Sequence, residues 1–304
     1  MAAALPPAVT AWLGRQLGAE PVVIRPVSGG CIHRSWRVEL AGGGQVFLKT
    51  NAAAALPLLE AEVEGLKALA TWASPDLQLP KPLDLACVGP DAVLLLSWLD
   101  LEPAAGGAGD GRWWQLGQSL ARLHRASREG NGGRGYGWDR ANFIGASLQP
   151  NGWCEAWPRF FAEARLGPQL DMAARAGRAL RQADALLAQL PRWLARHPVE
   201  PVLVHGDLWS GNAALVRGGI AALFDPACYW GDREVDLAMA RLFGGFPRAF
   251  FTGYGEEWPL SAGARERVEI YNLYHLLNHA NLFGGSYWSG AQTCIDGLLA
   301  GASG

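Results

Sequence analysis

The chain has no Cys-x-x-Cys pair, no block of basic residues and no apolar run long enough to cross a bilayer. Each absence removes a class of protein. The five cysteines stand singly at 31, 87, 154, 228 and 294. That spacing offers neither a zinc cluster nor a disulfide framework, and isolated thiols in odd number read as a reduced, cytoplasmic protein. With 26 Lys and Arg against 28 Asp and Glu, the formal net charge is -2. No nucleic-acid groove or membrane-binding surface is implied. Apolar runs such as "AVLLLSWL" are far shorter than the ~20 residues of a transmembrane helix. The N-terminal "MAAALPPAVTAWLGRQLG" lacks the basic start and long apolar centre of a secretory signal. There is no internal repeat. What is present is ordinary globular composition over 304 residues, enough for one large domain or two lobes.

The pattern of the chain favours two lobes. Residues 8–18 read as a short amphipathic helix, and "PVVIRPVSGGCIHRSWRVEL" as two strands around a loop with Gly29 and Gly30. "GGGQVFLKT" gives a turn and a third strand ending near Lys49. A helix follows at about 57–72, and "DAVLLLSWLDLE" is a buried strand. The small-residue loop "EPAAGGAGDG" marks a lobe boundary. Beyond it, "RWWQLGQSLARLH" sets Trp113, Leu116, Gly117, Leu120 and His124 on one helical face. Further helices are expected at about 157–174 and 176–196, and again from about 233 onward. The expectation is an α+β fold with a β-rich N-lobe (1–100) containing one key helix, and a larger, mainly helical C-lobe (101–304).

The densest chemistry lies in "VLVHGDLWSGNAALVRGGIAALFDPA", residues 202–227, where two apolar runs end on Asp207 and Asp225. Unpaired charge at the end of a buried strand is costly, so these acids need partners. Read as a hairpin with a two-residue Gly218-Gly219 loop, the stretch sets Leu215 opposite Ala222 and Asn212 opposite Asp225. Facing residues would then lie about 4.5–5.5 Å apart at Cβ, close enough for an amide oxygen and a carboxylate to hold one hard cation such as Mg²⁺. Asp207, five residues before Asn212, would accept the proton of an incoming hydroxyl. A base, an amide five residues on and a carboxylate across a hairpin is the order of protein-kinase-like enzymes.

That order makes demands elsewhere. A lysine should end the third strand, and Lys49 does. An acid on the next helix should hold it. Leu59, Val63, Leu66 and Ala70 form the apolar stripe of "LPLLEAEVEGLKALATW", and Glu62 lies on that inward side while Glu60, Glu64 and Lys67 face away. The loop "VSGGCIHRSW" is not a G-x-G-x-x-G loop and gains meaning only from its place ahead of Lys49.

With these residues assembled, the chain resembles the fructosamine kinase (ketosamine 3-kinase) family, relatives of the aminoglycoside phosphotransferases. The likeness runs nearly end to end through "GGCI", "FLK", "AEVEGL", "YGWDRANFIGASLQPNGWCEAWPRFFAEARL", "HGDLWSGN", "DPACYWGDREVDLAM", "LFGGF" and "YNLYHLLNHANLFG". Gln149, Asn151 and Trp153, with "HGDLWSGN", separate this family from choline or aminoglycoside kinases. The resemblance implies ATP-dependent phosphorylation of a ketosamine at its 3-hydroxyl, leading to deglycation of the amine. It further implies Asp207 as base, Asn212 and Asp225 as magnesium ligands, and Lys49, oriented by Glu62, on the ATP phosphates. Gly29 and Gly30 would belong to the nucleotide loop, and backbone groups of Ser97 and Leu99 would bind adenine. Cys31 is associated with redox sensitivity, so the chain is expected as a monomer or a Cys31-linked homodimer. His33 departs from the residue many relatives carry there.

Simpler readings stand beside these. Trp209 is either a platform for the sugar or loop packing. Asp232, Glu234 and Asp236 could extend a metal site, with Asp236 better read as an acceptor that braces the catalytic loop. His275 and His279 have i, i+4 zinc spacing without a third ligand, which favours helix packing, and His124 reads as a core histidine. The competing functions are another small-molecule kinase, of the aminoglycoside or choline type, and a pseudokinase scaffold. All five polar positions being intact opposes the last.

Overall fold

The computed structural model describes residues 4–27, 32–102 and 110–301. Gly29, Gly30 and Cys31, and most of the loop expected to divide the lobes, lie outside the described residues.

The N-lobe is built on five strands whose neighbours are all antiparallel. They are β1 (Pro21–Val27), β2 (Arg34–Leu40), β3 (Gln45–Ala52), β5 (Pro82–Val88) and β6 (Asp91–Ser97), in the order β1-β2-β3-β6-β5. Side chains alternate across the sheet. Val46 and Leu48 of β3 join Trp36, Val38, Val93 and Leu95 on one face, under Val9, Trp12 and Leu13 of α1 (Pro7–Leu17). On the other face Ala92, Leu94 and Leu96 meet Leu59 and Leu66 of α2 (Leu56–Trp72). The same alternation turns Lys49 toward α2. Strand β5 was not expected. Its "PLDLACV" begins with proline and has no clean alternation, which suits an edge strand that only β6 recruits. The two-residue β4 (Leu77–Gln78) leaves this lobe and pairs in parallel with β11 (Ala221–Leu223), tying the lobes by backbone hydrogen bonds.

The C-lobe begins with α3 (Asp110–Ser127), which buries Leu116, Gly117, Leu120 and His124 as the sequence predicts. A small hairpin follows, β7 (Asn142–Ile144) and β8 (Ser147–Gln149). The helix expected at 157–174 is present as α4 (Trp157–Phe161), a π-helical turn Ala162–Leu166 and α5 (Gly167–Arg175). The next helix, α6 (Ala183–Leu194), starts later than expected. Arg181 donates its backbone N–H to Gln292 Oε1 at 2.8 Å and its guanidinium to Asp296, and Gln182 takes a left-handed φ of 60°. Tertiary partners thus take the groups a helix would have used. After β9 (Val202–Val204), β10 (Ala213–Leu215), β11 and β12 (Tyr229–Gly231) come four helices: α7 (Glu234–Leu242), α8 (Arg248–Glu257), α9 (Ala264–Phe283) and α10 (Tyr287–Gly301). Trp157, Phe160, Phe161, Tyr229, Tyr271 and Tyr274 sit in the principal core of this lobe. No helix among the described residues is long and apolar enough to cross a membrane.

Candidate active site

Lys49 and Glu62 meet as the helical stripe predicts. Lys49 Nζ lies 2.8 and 2.9 Å from the two Glu62 oxygens, and both side chains are buried. The ammonium also contacts the Asp225 carboxylate. Burial works against charge on Lys49, but the two acids outweigh it and hold its pKa above the ordinary value. Burial likewise pushes Asp225 upward, and the Lys49 charge overcomes this and holds the carboxyl below the usual range. For Glu62 burial is the larger influence and raises the carboxyl against the pull of Lys49. Glu60 and Glu64, on the outer face, both reach Arg140 of the C-lobe.

Strand β9 delivers the segment His205–Asp207 into the cleft, and buried polar groups fix its course. Asp236 of α7 accepts the backbone N–H of His205 at 2.7 Å and of Gly206 at 2.9 Å, and contacts His124 Nε2 at 3.2 Å. This is the bracing role read from the sequence. It also explains His124, whose other nitrogen bonds Tyr254. His205 donates from Nε2 to the Phe224 carbonyl at 3.0 Å and accepts the Asp207 N–H at Nδ1. Loop and strand end are thereby linked through one buried, neutral imidazole, its pKa lowered by burial.

The hairpin differs from the sequence reading by one residue. Ala214 pairs with Ala222 and Leu215 with Ala221, so the loop holds three residues, Arg217 to Gly219, with Gly218 at φ 71°. Asn212 therefore faces Phe224, whose N–H it receives at 3.1 Å, rather than Asp225. A one-residue slip ordinarily sends a side chain to the other face. Here β11 ends at Leu223 and Asp225 adopts a left-handed φ of 56°, which returns its carboxylate to the cleft. That backbone strain in a non-glycine residue replaces the straight register as the means of convergence.

These groups line one cavity of about 550 Å³ between the lobes. Lys49, Glu62, Asp207, Trp209, Asn212 and Asp225 all border it. Asn212 Nδ2 donates to Asp207 Oδ2 at 3.1 Å and to the Asp207 carbonyl at 2.8 Å. Burial, then repulsion from Asp225, lifts the Asp207 carboxyl to about 7 against that hydrogen bond. The Trp209 indole folds over Gly211, where any Cβ would lie 2.3 Å from the ring. His33 borders the cavity too, bonded to Asn51 and kept neutral by burial and by Lys49, which lower its pKa to about 4. Ser97 and Leu99 do not line this cavity. Ser97 closes β6 with its N–H on the Lys81 carbonyl, and the Leu99 carbonyl receives the Leu101 N–H.

Other polar residues have different work. Gln149 Nε2 bonds Asn142 Oδ1 and the Ala227 carbonyl, while Asn142 Nδ2 bonds the Cys228 carbonyl at 2.7 Å. Asn151 joins Asn142 and buried Arg165, whose guanidinium lies 3.8 Å from the Tyr229 ring centroid. This segment is a buried clasp on the turn that follows Asp225. Asp232 and Glu234 do not extend the cavity. They form the one three-residue group of metal-ligand type among the described residues, with His197, and Arg267 closes it by two 2.8 Å bonds to Glu234. His275 is buried in the helix packing as expected, whereas His279 borders the cavity. Asn278, Phe243 and Tyr287 border it as well and were not foreseen. Asn278 sits in "YNLYHLLNHANLFG", whose spacing resembles any packed helix, and Phe243 and Tyr287 lie outside that segment, so no local signal distinguishes them.

The fold and this cleft define a kinase-type phosphotransferase. The fructosamine kinase family profile matches residues 7–301. A protein named "Probable ketoamine kinase" from Synechocystis is 42% identical over 275 residues, covering 90% of each chain. Another of that name from Vibrio cholerae is 40% identical over 296 residues, 97% of this chain and 99% of the relative. The crystal structure of a fructosamine-3-kinase candidate from Haemophilus somnus superimposes with a TM-score of 0.83 at 30% identity over 96% of each chain. An aminoglycoside phosphotransferase solved with AMP-PNP and hygromycin B shares the fold, at TM-score 0.64 and 17% identity. The chain belongs to the fructosamine kinase family and is an ATP-dependent phosphotransferase.

Proposed function

We propose that the protein transfers the γ-phosphoryl group of ATP to the 3-hydroxyl of a ketosamine, a ribulosamine or fructosamine, and so initiates deglycation of an amine. The observation that carries the reading is the convergence of Asp207, Asn212, Asp225 and Lys49 on one cavity. Asp207 takes the proton of the acceptor hydroxyl as its oxygen attacks the γ-phosphorus and ADP departs. Lys49, kept charged by its two acids, steadies the α- and β-phosphates, with Glu62 holding it in place. The donor set suits magnesium: a carboxylate at Asp225, a half-buried residue whose side chain keeps 43% of its surface open, and the Oδ1 of Asn212, whose Nδ2 is committed to Asp207. Bound there, the ion would neutralise phosphate charge. The adenine would lie toward the Ser97–Leu99 crossing between the lobes. With phosphate on C3, the carbon α to the C2 ketone, loss of a C1 proton gives an enaminol that expels inorganic phosphate from C3, and hydrolysis of the resulting C1 imine by water frees the amine.

Incubation with Mg-ATP and a ribulosamine, followed by ³¹P NMR, tests this. A new phosphomonoester assigned to C3, then free amine on standing, is the expected result. Phosphorylation of an aminoglycoside or amino alcohol with no ketosamine product would overturn it. Asp225→Ala should abolish Mg²⁺-dependent nucleotide binding by calorimetry.

A further inference from the structure

The acceptor side of the cavity carries a set of groups that the transfer chemistry does not use. Phe243, just past α7, places its ring centroid 4.5 Å from that of His279 on α9. Tyr287 lies 5.2 Å and Phe283 5.5 Å from the same imidazole. All four border the cavity that also contains Asp207.

The hydrogen bonds fix what this collar offers. His279 Nδ1 lies 2.9 Å from the His275 carbonyl, which can only accept, so Nδ1 carries the hydrogen. In the neutral ring Nε2 is then a bare acceptor. The neighbouring Asn278 is fixed in turn: Asn281 Nδ2 donates to Gln169 Oε1 at 2.7 Å, which leaves Gln169 Nε2 to donate to Asn278 Oδ1 at 3.3 Å. Asn278 thus keeps Nδ2 as the donor it can offer to the cavity. Consecutive residues present one donor and one acceptor inside an aromatic surround.

We propose that Asn278, His279 and the rings of Phe243, Phe283 and Tyr287 form the subsite for the amino-ketone end of the acceptor, and that they select ketosamines whose amine bears an uncharged hydrocarbon substituent. This rests on the ketosamine reading above. Asn278 Nδ2 donates to the ketone oxygen, and the protonated secondary amine donates to His279 Nε2 with its charge against the ring faces. The substituent then leaves over Phe283, which is 53% exposed at the rim, beside Leu282. Lys49 is the only lysine or arginine among the described lining residues, and it is already paired with Glu62 and Asp225. A carboxylate on the substituent therefore meets no counter-charge, whereas hydrocarbon meets exposed ring.

The test uses one ketose carried by three acceptors: its benzylamine adduct, its glycine adduct and the free ketose. For the wild-type protein, kcat/KM for the benzyl adduct should exceed that for the glycyl adduct about tenfold or more, chiefly through KM, as an aromatic contact of ordinary strength allows. Phe283→Ala should bring that ratio close to one. His279→Phe keeps the ring packing and removes the acceptor, so it should raise KM for both adducts more than for the free ketose. Melting temperature and AMP-PNP affinity check that each variant is folded. A glycyl preference, or ratios unchanged in both variants while adducts are phosphorylated, would overturn the subsite and leave the ketosamine reading standing. Failure of the wild-type protein to phosphorylate any adduct, with AMP-PNP still bound, would remove the ketosamine reading and the subsite with it.

Discussion

The amide of Asn212 holds Asp207 from two sides, donating Nδ2 to the carboxylate at 3.1 Å and to the backbone carbonyl at 2.8 Å. The proposed base is therefore oriented before any acceptor arrives, and the same amide keeps its oxygen for the proposed metal. Replacing Asp207 by Ala should lower kcat about 10²–10⁴-fold, the usual worth of general-base help. Nucleotide affinity should persist in calorimetry. Near-normal turnover would assign the base elsewhere.

The pH dependence of this carboxyl has a definite sign. Burial and Asp225 raise it to about 7 in the folded protein, so the base form accumulates as pH rises through neutrality. The acceptor kcat/KM should climb across that range and then level. The folded state also binds this proton more tightly than the unfolded chain, so the stability it confers is lost as pH rises from the ordinary carboxylate range through about 7 and levels off above that. Asp207→Asn should accordingly lose less stability than the wild-type protein between pH 6 and pH 8, read by thermal melting at each pH.

Asp236 should give the opposite dependence. Burial raises its carboxyl, but His124, His205 and the backbone donors prevail and hold it below the ordinary range. Its contribution is present above the unfolded value and is lost as pH falls through the folded one. Asp236→Ala strands the His205 and Gly206 N–H groups and should cost about 2–6 kcal/mol in denaturant titration, since each of the two buried orphans costs roughly 1–3 kcal/mol. The variant should also show a shallower stability decline between pH 5 and pH 3.

Breaking the buried Lys49–Glu62 pair should be costly. Glu62→Ala leaves Lys49 with Asp225 alone, and the usual penalty for removing one partner is about 3–5 kcal/mol. Urea unfolding would measure it. The released lysine should also raise the KM for ATP more than it lowers kcat.

The two readings of Trp209 separate at Gly211. A methyl group there would lie 2.3 Å from the indole and must displace it. If Trp209 is the sugar's platform, Gly211→Ala and Trp209→Ala should both raise acceptor KM with ATP KM little changed. A lowered melting temperature with unaltered acceptor KM would make Trp209 packing.

Much of the site could be read locally. Of Glu60, Glu62 and Glu64, helical periodicity puts Glu62 on the inward face, and it is there that the buried ion pair forms. Asp236 as a backbone acceptor and His124 as a core residue followed from short-range pattern in the same way. The hairpin register was not legible, because Gly218-Gly219 suits a two-residue turn as well as the three-residue turn adopted. Choosing between them depends on how β11 pairs with β4, which lies more than 140 residues earlier. Strand β5 and the late start of α6 were hidden for the same reason: β6 recruits the one, and Gln292 with Asp296 holds back the other.

By itself the sequence determined which chemical groups the protein possesses and which local elements carry them, since helical and strand periodicities depend on neighbours in the chain. Only the tertiary structure decided where those groups meet. The left-handed turn at Asp225 restores a convergence that the strand register would have denied, and Phe243 and Tyr287 reach His279 of α9 at the cavity from outside that helix. Both depend on contacts between segments far apart in the chain, whose free energy no local pattern encodes.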